Sequence, residues 1–314
     1  MIKYSFIVPI YNDGYLIDDF CQEFNAFFQS YINTSEIDEQ VELIFVNDGS
    51  KDNSLSLLED ACSKFSFIRA ITLSKNFGQH IALSCGYQHS KGEYVGMLNV
   101  DMEDHPSQIA ALLDYIQNND FDIVTGLYKK RHVSFPNRVT SYCFNLLLNK
   151  LTGHKVPYNV STLRIMNRRF VDAYNSLSEK SRYLPGLELW LGFNHGYIEI
   201  SHQKRTKGQS SYSFKKRLFM AFESIISFSD LPLKITVLLG MSLALLGFLL
   251  IIILIIQKIY FIDFKPGYTT SISVMVLIGG IQLLFLGLAS LYIGRILKEV
   301  QNRPLYIVKN KINF

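Results

Sequence analysis

The sequence predicts an α/β head built on a mostly parallel sheet with helices on both faces, followed by two membrane-spanning helices. Three observations carry that expectation. Short Val- and Ile-rich segments alternate with helix-like segments over the first two-thirds of the chain. Polar and acidic residues cluster just past several of the apolar segments. Near residue 233 the character changes, and two uncharged apolar stretches follow, each long enough to cross a bilayer.

The strands are expected at Tyr4–Ile10, Val41–Asn47, Ile68–Leu73, Tyr94–Asn99 and Asp122–Gly126, all short and bounded by polar or turn residues. Helix-like segments lie near Leu16–Tyr31, Ser54–Phe65, Gln79–His89 and Gln108–Gln117. Sheets of this kind place their sites beyond the carboxyl ends of the strands. The first strand runs into Pro9-Ile10-Tyr11-Asn12-Asp13, the second into Asn47-Asp48-Gly49-Ser50, and the fourth into Asn99-Val100-Asp101-Met102-Glu103-Asp104. Taken alone, Asn-Asp-Gly-Ser is an ordinary turn, and Asp52 or Asn53 would cap the helix that follows. Three such clusters at the ends of strands one, two and four of one sheet argue for a site. Asp101 and Glu103 stand two apart, on one side of an extended segment. Two carboxylates placed so repel unless a cation lies between them, and Mg²⁺ or Mn²⁺ takes such oxygen ligands together with phosphate.

Ile235–Ile256 and Ile272–Ile293 each have 22 residues, about 33 Å of helix against a hydrocarbon core of about 30 Å. Between them Gln257–Thr270 carries only Lys258, Asp263 and Lys265 as charges. The formal charge of +4 is uneven: His202–Arg217 holds six Lys/Arg and no acid, and Arg295–Phe314 holds five Lys/Arg and one Glu. Basic flanks on both sides of the apolar pair put the head and both termini in the cytoplasm by the positive-inside rule. They read as attraction to a membrane surface, not to nucleic acid. Residues 213–231 read as an amphipathic interfacial helix, with a last head helix as the alternative. The expected organisation is a catalytic head at 1–212, that helix at 213–231, and a two-helix membrane region with a basic tail at 232–314. The membrane segments offer surfaces for self-association.

The four cysteines, Cys21, Cys62, Cys85 and Cys143, lack metal or redox spacing and read as inert buried thiols of a reducing compartment. The histidines show no metal-ligand spacing, and no Walker-type Gly-Lys loop supports an ATPase.

Several motifs carry a family resemblance: I-V-P-I-Y-N-D at 7–13, V-N-D-G-S-K-D-N-S at 46–54, L-S-K-N-F-G-Q-H-I-A-L at 73–83 and N-V-D-M-E-D-H-P at 99–106. To these are added R-I-M-N-R-R at 164–169, R-T-K-G-Q-S-S-Y at 205–212 and R-P-L-Y-I-V at 303–308. The head resembles an inverting family 2 glycosyltransferase of the GT-A (nucleotide-diphospho-sugar transferase) fold. The whole chain is similar to the polyprenyl-phosphate glycosyltransferases, the dolichyl-phosphate mannosyltransferase and bactoprenol glucosyltransferase group.

The resemblance implies a nucleotide-diphosphate sugar donor, a polyprenyl-phosphate acceptor, Mg²⁺ or Mn²⁺, and a bacterial cytoplasmic membrane. It places Pro9, Tyr11, Asn12 and Asp13 at the nucleotide base and ribose. Asp48, Asn76 and Gly78 fall beside the nucleotide. Asp101 falls at the metal, with Asn99 at the first position of the metal motif and Glu103 near it. Arg205, Lys207, Ser210 and Tyr212 fall on a loop that closes over the diphosphate and the acceptor phosphate, and Arg164 is a further cation for phosphate. The chain departs from the family at Asn99, where an acid is usual, and at Asn159 and Thr162, where many relatives carry the acids of D-x-G-D-F-R. A general base serves an alcohol acceptor, whereas a lipid phosphate is already anionic, so the missing acids suit a phosphate acceptor. Transfer to a sugar hydroxyl of a lipid-linked oligosaccharide and a non-catalytic sugar-nucleotide-binding scaffold are the alternatives.

Overall fold

The computed structural model describes residues 2–32, 37–101, 106–129, 157, 159–180, 182, 184–200, 231–260 and 267–314. The chain forms two units, a head that includes Pro304–Phe314 and a helical unit ending at Arg303.

Among the described residues eight strands make one sheet in the head: β1 (Tyr4–Ile10), β2 (Val41–Asn47), β3 (Ile68–Leu73), β4 (Tyr94–Met97), β5 (Ile123–Tyr128), β6 (Val160–Asn167), β7 (His195–Ile200) and β8 (Val308–Ile312). Their order is β7-β5-β6-β4-β1-β2-β3-β8. β1 is parallel to β2 and β4, β2 to β3, and β5 to β7. β6 runs antiparallel to β4 and β5, and β8 antiparallel to β3. The sheet is thus mixed: β1 to β5 and β7 share one direction, and β6 and β8 run against them. The five expected strands are all present, with β4 two residues shorter and β5 shifted toward its carboxyl end.

Helices α1 (Ile17–Ile32), α2 (Ser54–Lys64), α3 (Gln79–His89) and α4 (Pro106–Asn118) occupy the expected segments, followed by α5 (Arg168–Ser176) and α6 (Leu184–Trp190). Two neighbouring residues of β1 show how the layers form. The Phe6 ring packs on Phe24 and Phe28 of α1, with centroids 5.5 and 4.9 Å away. Ile7 lies against Gly86 of α3, so closely that a Cβ on Gly86 would come within 2.2 Å of Ile7 Cγ2. Successive strand residues face opposite sides, so α1 and α3 cover opposite faces of the sheet. Both Phe6 and Ile7 are almost fully buried, which accounts for the continuous apolar run of β1.

β1 has β2 on one side and β4 on the other. The chain therefore winds outward through β2 and β3, then returns to the far side of β1. A crevice forms at such a reversal, outside the carboxyl ends of the strands.

The C-terminal tail, which the sequence groups with the membrane region, instead supplies a strand to the head. Ala70 pairs with Ile312 and Thr72 with Asn310. Ser74 N donates to Ile307 O at 2.9 Å. Asn313 Nδ2 donates to the carbonyls of Cys62 and Ile68 at 3.0 and 2.9 Å. The tail covers the edge that β3 would otherwise present.

The second unit contains α7 (Leu231–Tyr260, 30 residues) and α8 (Tyr268–Val300, 33 residues). Pro232 stands in the first turn of α7, where its missing N–H is tolerated. Among the described residues Leu277–Val300 is long and apolar enough to cross a membrane, and Ile235–Leu249 is a shorter apolar stretch. Large apolar side chains on both helices are exposed, including Leu238, Phe248, Met275 and Leu283.

Candidate active site

The loops after β1, β2 and β3 are stitched to one another by side chain–backbone hydrogen bonds. Asp48, directly after β2, is only 3% exposed. Its Oδ1 accepts from Phe77 N at 2.7 Å and its Oδ2 from Gly78 N at 2.8 Å. Burial raises the Asp48 carboxyl above its ordinary value, while the two amides pull the other way. Gly49 adopts φ 68°, and a Cβ there would meet Lys75 C at 2.4 Å. Glycine is therefore required for the 75–78 loop to lie across the Asp48 turn.

The loop after β1 is fixed to the same turn. Asn12, at φ 59°, donates its backbone N–H to Ser50 Oγ at 3.0 Å and accepts from Lys51 N on Oδ1 at 2.8 Å. Asp52 accepts from Gly14 N on Oδ2 at 3.2 Å, and from Ser54 N and Oγ on Oδ1 at 3.1 and 2.6 Å. Its slight burial opposes ionisation, but the Ser54 and Gly14 hydrogen bonds outweigh that and hold the carboxyl below its usual range. Pro9 and Asp13 are half-buried, Asn76 is exposed, and Tyr11 is 42% exposed. Exposed aromatic surface beside loops braced in this way is suited to stacking against a planar base.

On the other side of β1 the chain leaves β4 through Asn99 and the half-buried Asp101. Asn99 Nδ2 donates to Thr162 Oγ1 in β6 at 2.8 Å. Thr162 O in turn accepts from Arg164 Nε at 3.1 Å, and Arg164 Nη1 forms a short ion pair with Glu188 Oε1. Arg164 and Glu188 are each 5% exposed. Arg164, expected to face phosphate, is thus directed inward by its place in β6, and the pair commits its charge to Glu188. Burial pushes the Glu188 carboxyl up, and Arg164 opposes it. Burial, with Arg164 adding to it, brings His80 and His195 down to about 4. His195 Nε2 also shares a hydrogen bond with Thr125 Oγ1 at 2.8 Å. A buried polar layer therefore lies behind the Asn99–Thr162 contact.

Among the described residues no group of three His, Cys, Asp or Glu side chains comes together to hold a metal. Asn99 and Asp101 nonetheless supply hard oxygen atoms on one short segment. That donor set fits a small divalent cation that completes its shell with substrate phosphate and water. Glu103 lies outside the described residues, as do Arg205, Lys207, Ser210, Tyr212, Cys143 and the interfacial segment before Leu231. Cys21, Cys62 and Cys85 are free and buried, and burial raises their thiols to about 12, 11 and 12.

Sequence reasoning missed Glu188. The signal was an acid between Leu187 and Leu189 in a short apolar helix, where a charge needs a buried partner.

A mixed α/β sheet whose strand order reverses at β1/β4, with interlinked loops beyond β1, β2 and β3, is a GT-A-like fold. The chain matches the family model "Glycosyl transferase family 2" over residues 5–174 and "GtrB C-terminal hairpin" over residues 231–296. It belongs to glycosyltransferase family 2. It is 30% identical over 309 residues to the SfII prophage-derived bactoprenol glucosyl transferase of Shigella flexneri, covering 98% of each chain. It is 28% identical to the undecaprenyl-phosphate 4-deoxy-4-formamido-L-arabinose transferase of Proteus mirabilis, covering 99% of this chain and 94% of that one. The head is similar in fold to glucosyl-3-phosphoglycerate synthase of Mycobacterium tuberculosis, solved with Mn²⁺, UDP and glucosyl-3-phosphoglycerate. The TM-score is 0.50 at 14% identity, over 72% of this chain and 78% of that one. The protein is a glycosyltransferase.

Proposed function

We propose that the protein moves a sugar from a nucleotide-diphosphate sugar to a polyprenyl phosphate at the cytoplasmic leaflet of a bacterial membrane, with inversion. The observation that carries this reading is the end-to-end similarity, over 98% of each chain, to a bactoprenol glucosyl transferase. The acceptor phosphate oxygen attacks the anomeric carbon opposite the leaving group. The new C–O bond forms as the bond to the diphosphate breaks, and the nucleoside diphosphate departs with the electron pair. A phosphate anion carries no proton that must leave, so Asn159 and Thr162 suffice where an alcohol acceptor would call for a base.

Each residue then has a bounded task. The Asp48-braced loop at Asn76–Gly78 and the segment Pro9–Asp13 bind and orient the nucleotide. Asp101, with Asn99 and Glu103, would hold Mg²⁺ or Mn²⁺ on the diphosphate. That cation would supply neutralisation of the leaving group's charge. Arg205 and Lys207 would bridge the two phosphates, and Ser210 and Tyr212 belong to the same closing loop.

Membrane attachment has a topological argument. β8 lies in the same sheet as β1, so the segment between the head and its own tail must cross a bilayer an even number of times. Helices of 30 and 33 residues support two crossings, α7 outward and α8 back, with the head and tail cytoplasmic.

The test is a panel of nucleotide sugars assayed with undecaprenyl phosphate and, separately, with a lipid-linked oligosaccharide. Label should enter lipid with the phosphate acceptor alone. Transfer only to the oligosaccharide would contradict the proposal.

A further inference from the structure

We propose that Thr162, braced from behind by the buried Arg164–Glu188 pair, is a positioning residue that fixes the side-chain amide of Asn99 toward the donor's divalent cation. The inference rests on the nucleotide-and-cation reading above and assigns that site a residue which contacts neither ligand. Asn99 follows β4 beyond its last ladder pair, Met97 with Arg164, so its side chain must be oriented by contacts of its own. A terminal amide torsion is broad and roughly two-fold, and the two ends of the amide have opposite polarity toward a cation. The 2.8 Å contact from Asn99 Nδ2 to Thr162 Oγ1 removes that ambiguity. It occupies the donor end and leaves the carbonyl oxygen as the end offered to a cation.

Thr162 is itself exposed, and an exposed hydroxyl at a strand's start is ordinarily mobile. Here its carbonyl is held by Arg164 Nε at 3.1 Å. Arg164 is in turn locked by Glu188 inside the protein, where both side chains are more than nine-tenths buried. The order Glu188, Arg164, Thr162, Asn99 therefore runs from the interior to the crevice through three contacts, each with a defined donor and acceptor. A buried ion pair is a weak source of net stability against an apolar alternative, yet removing one partner leaves an unpaired charge inside, so Arg164 and Glu188 hold each other in place. That makes positioning a better account of this pair than stability.

The test uses the full-length protein in detergent and measures equilibrium binding of UDP, GDP, CDP and ADP with increasing Mn²⁺. The nucleotide bound most tightly by the unaltered protein is kept as the probe. Thr162→Val keeps the branched shape and removes the hydroxyl; it should raise the Mn²⁺ needed for half-maximal nucleotide binding about tenfold, the scale of one hydrogen bond. Affinity without Mn²⁺ and the unfolding temperature should stay as they were. Thr162→Ser should restore the unaltered Mn²⁺ dependence. Glu188→Gln should shift it in the same direction as Thr162→Val, a change read only on protein that retains its fold by circular dichroism. Unchanged Mn²⁺ dependence in Thr162→Val overturns the positioning role alone. Failure of the unaltered protein to bind any of the four nucleotides in a Mn²⁺-dependent way overturns the underlying reading as well.

Discussion

Asp48 and Gly78 are joined at 2.8 Å, the carboxylate Oδ2 accepting the backbone amide, while Oδ1 takes the neighbouring amide of Phe77. One buried acid thus shapes the whole loop after β3. Asp48→Ala would leave two amides without their acceptor, at about 1–3 kcal/mol each where they stay dry. The expected result is a lower unfolding temperature together with at least tenfold weaker nucleotide binding, measured by calorimetric titration. Normal binding in a destabilised Asp48→Ala protein would separate the loop from the nucleotide.

Asp101 stands apart from that loop, half-buried at the end of the β4 segment. Asp101→Ala should abolish Mn²⁺-dependent transfer while leaving the protein folded and membrane-inserted. Circular dichroism and membrane fractionation check the second part. Full activity in this variant would refute the cation assignment.

The pH dependence of stability has a definite sign. His80 and His195 titrate near 4 in the folded protein because burial, with Arg164 adding to it, disfavours their charged forms. Unfolded histidine titrates at about 6.5. Between these values the unfolded chain binds more protons, so stability present above about pH 6.5 is lost as pH falls toward 4. The unfolding temperature should fall by about 5 °C or more from pH 7 to pH 5. His195→Gln should flatten that slope, since an amide at this position does not take up the proton.

The tail strand gives a topological prediction. In a chain freed of its native cysteines, a cysteine placed at Asp263, between the two long helices, should react with an impermeant maleimide from outside intact cells. One placed at Asn302, just before the tail, should react only after lysis. Labelling of both from the same side would contradict two crossings.

Much of this was legible in the sequence. β1 to β3 are Val- and Ile-rich, buried, and closed by turn residues, so their bounds follow from pattern alone. β6 was harder because Ser161, Thr162 and Arg164 interrupt its apolar run. The burial of Arg164 becomes sensible only once Glu188, 24 residues later, supplies the opposite charge. β8 reads as a basic tail because Lys309, Asn310 and Lys311 fill its centre, as befits an edge strand in contact with water. Asn99 and Thr162 appear in the sequence as two separate departures from the family pattern. Their 2.8 Å contact makes them one feature, and no local signal 63 positions apart announces it.

The most direct measurement is the release of nucleoside diphosphate by the purified protein when polyprenyl phosphate is the sole acceptor. Release should require both the lipid and Mn²⁺ or Mg²⁺, and should equal the sugar recovered in the lipid phase mole for mole. Release that is indifferent to the lipid, or sugar that never reaches it, would contradict a polyprenyl-phosphate glycosyltransferase.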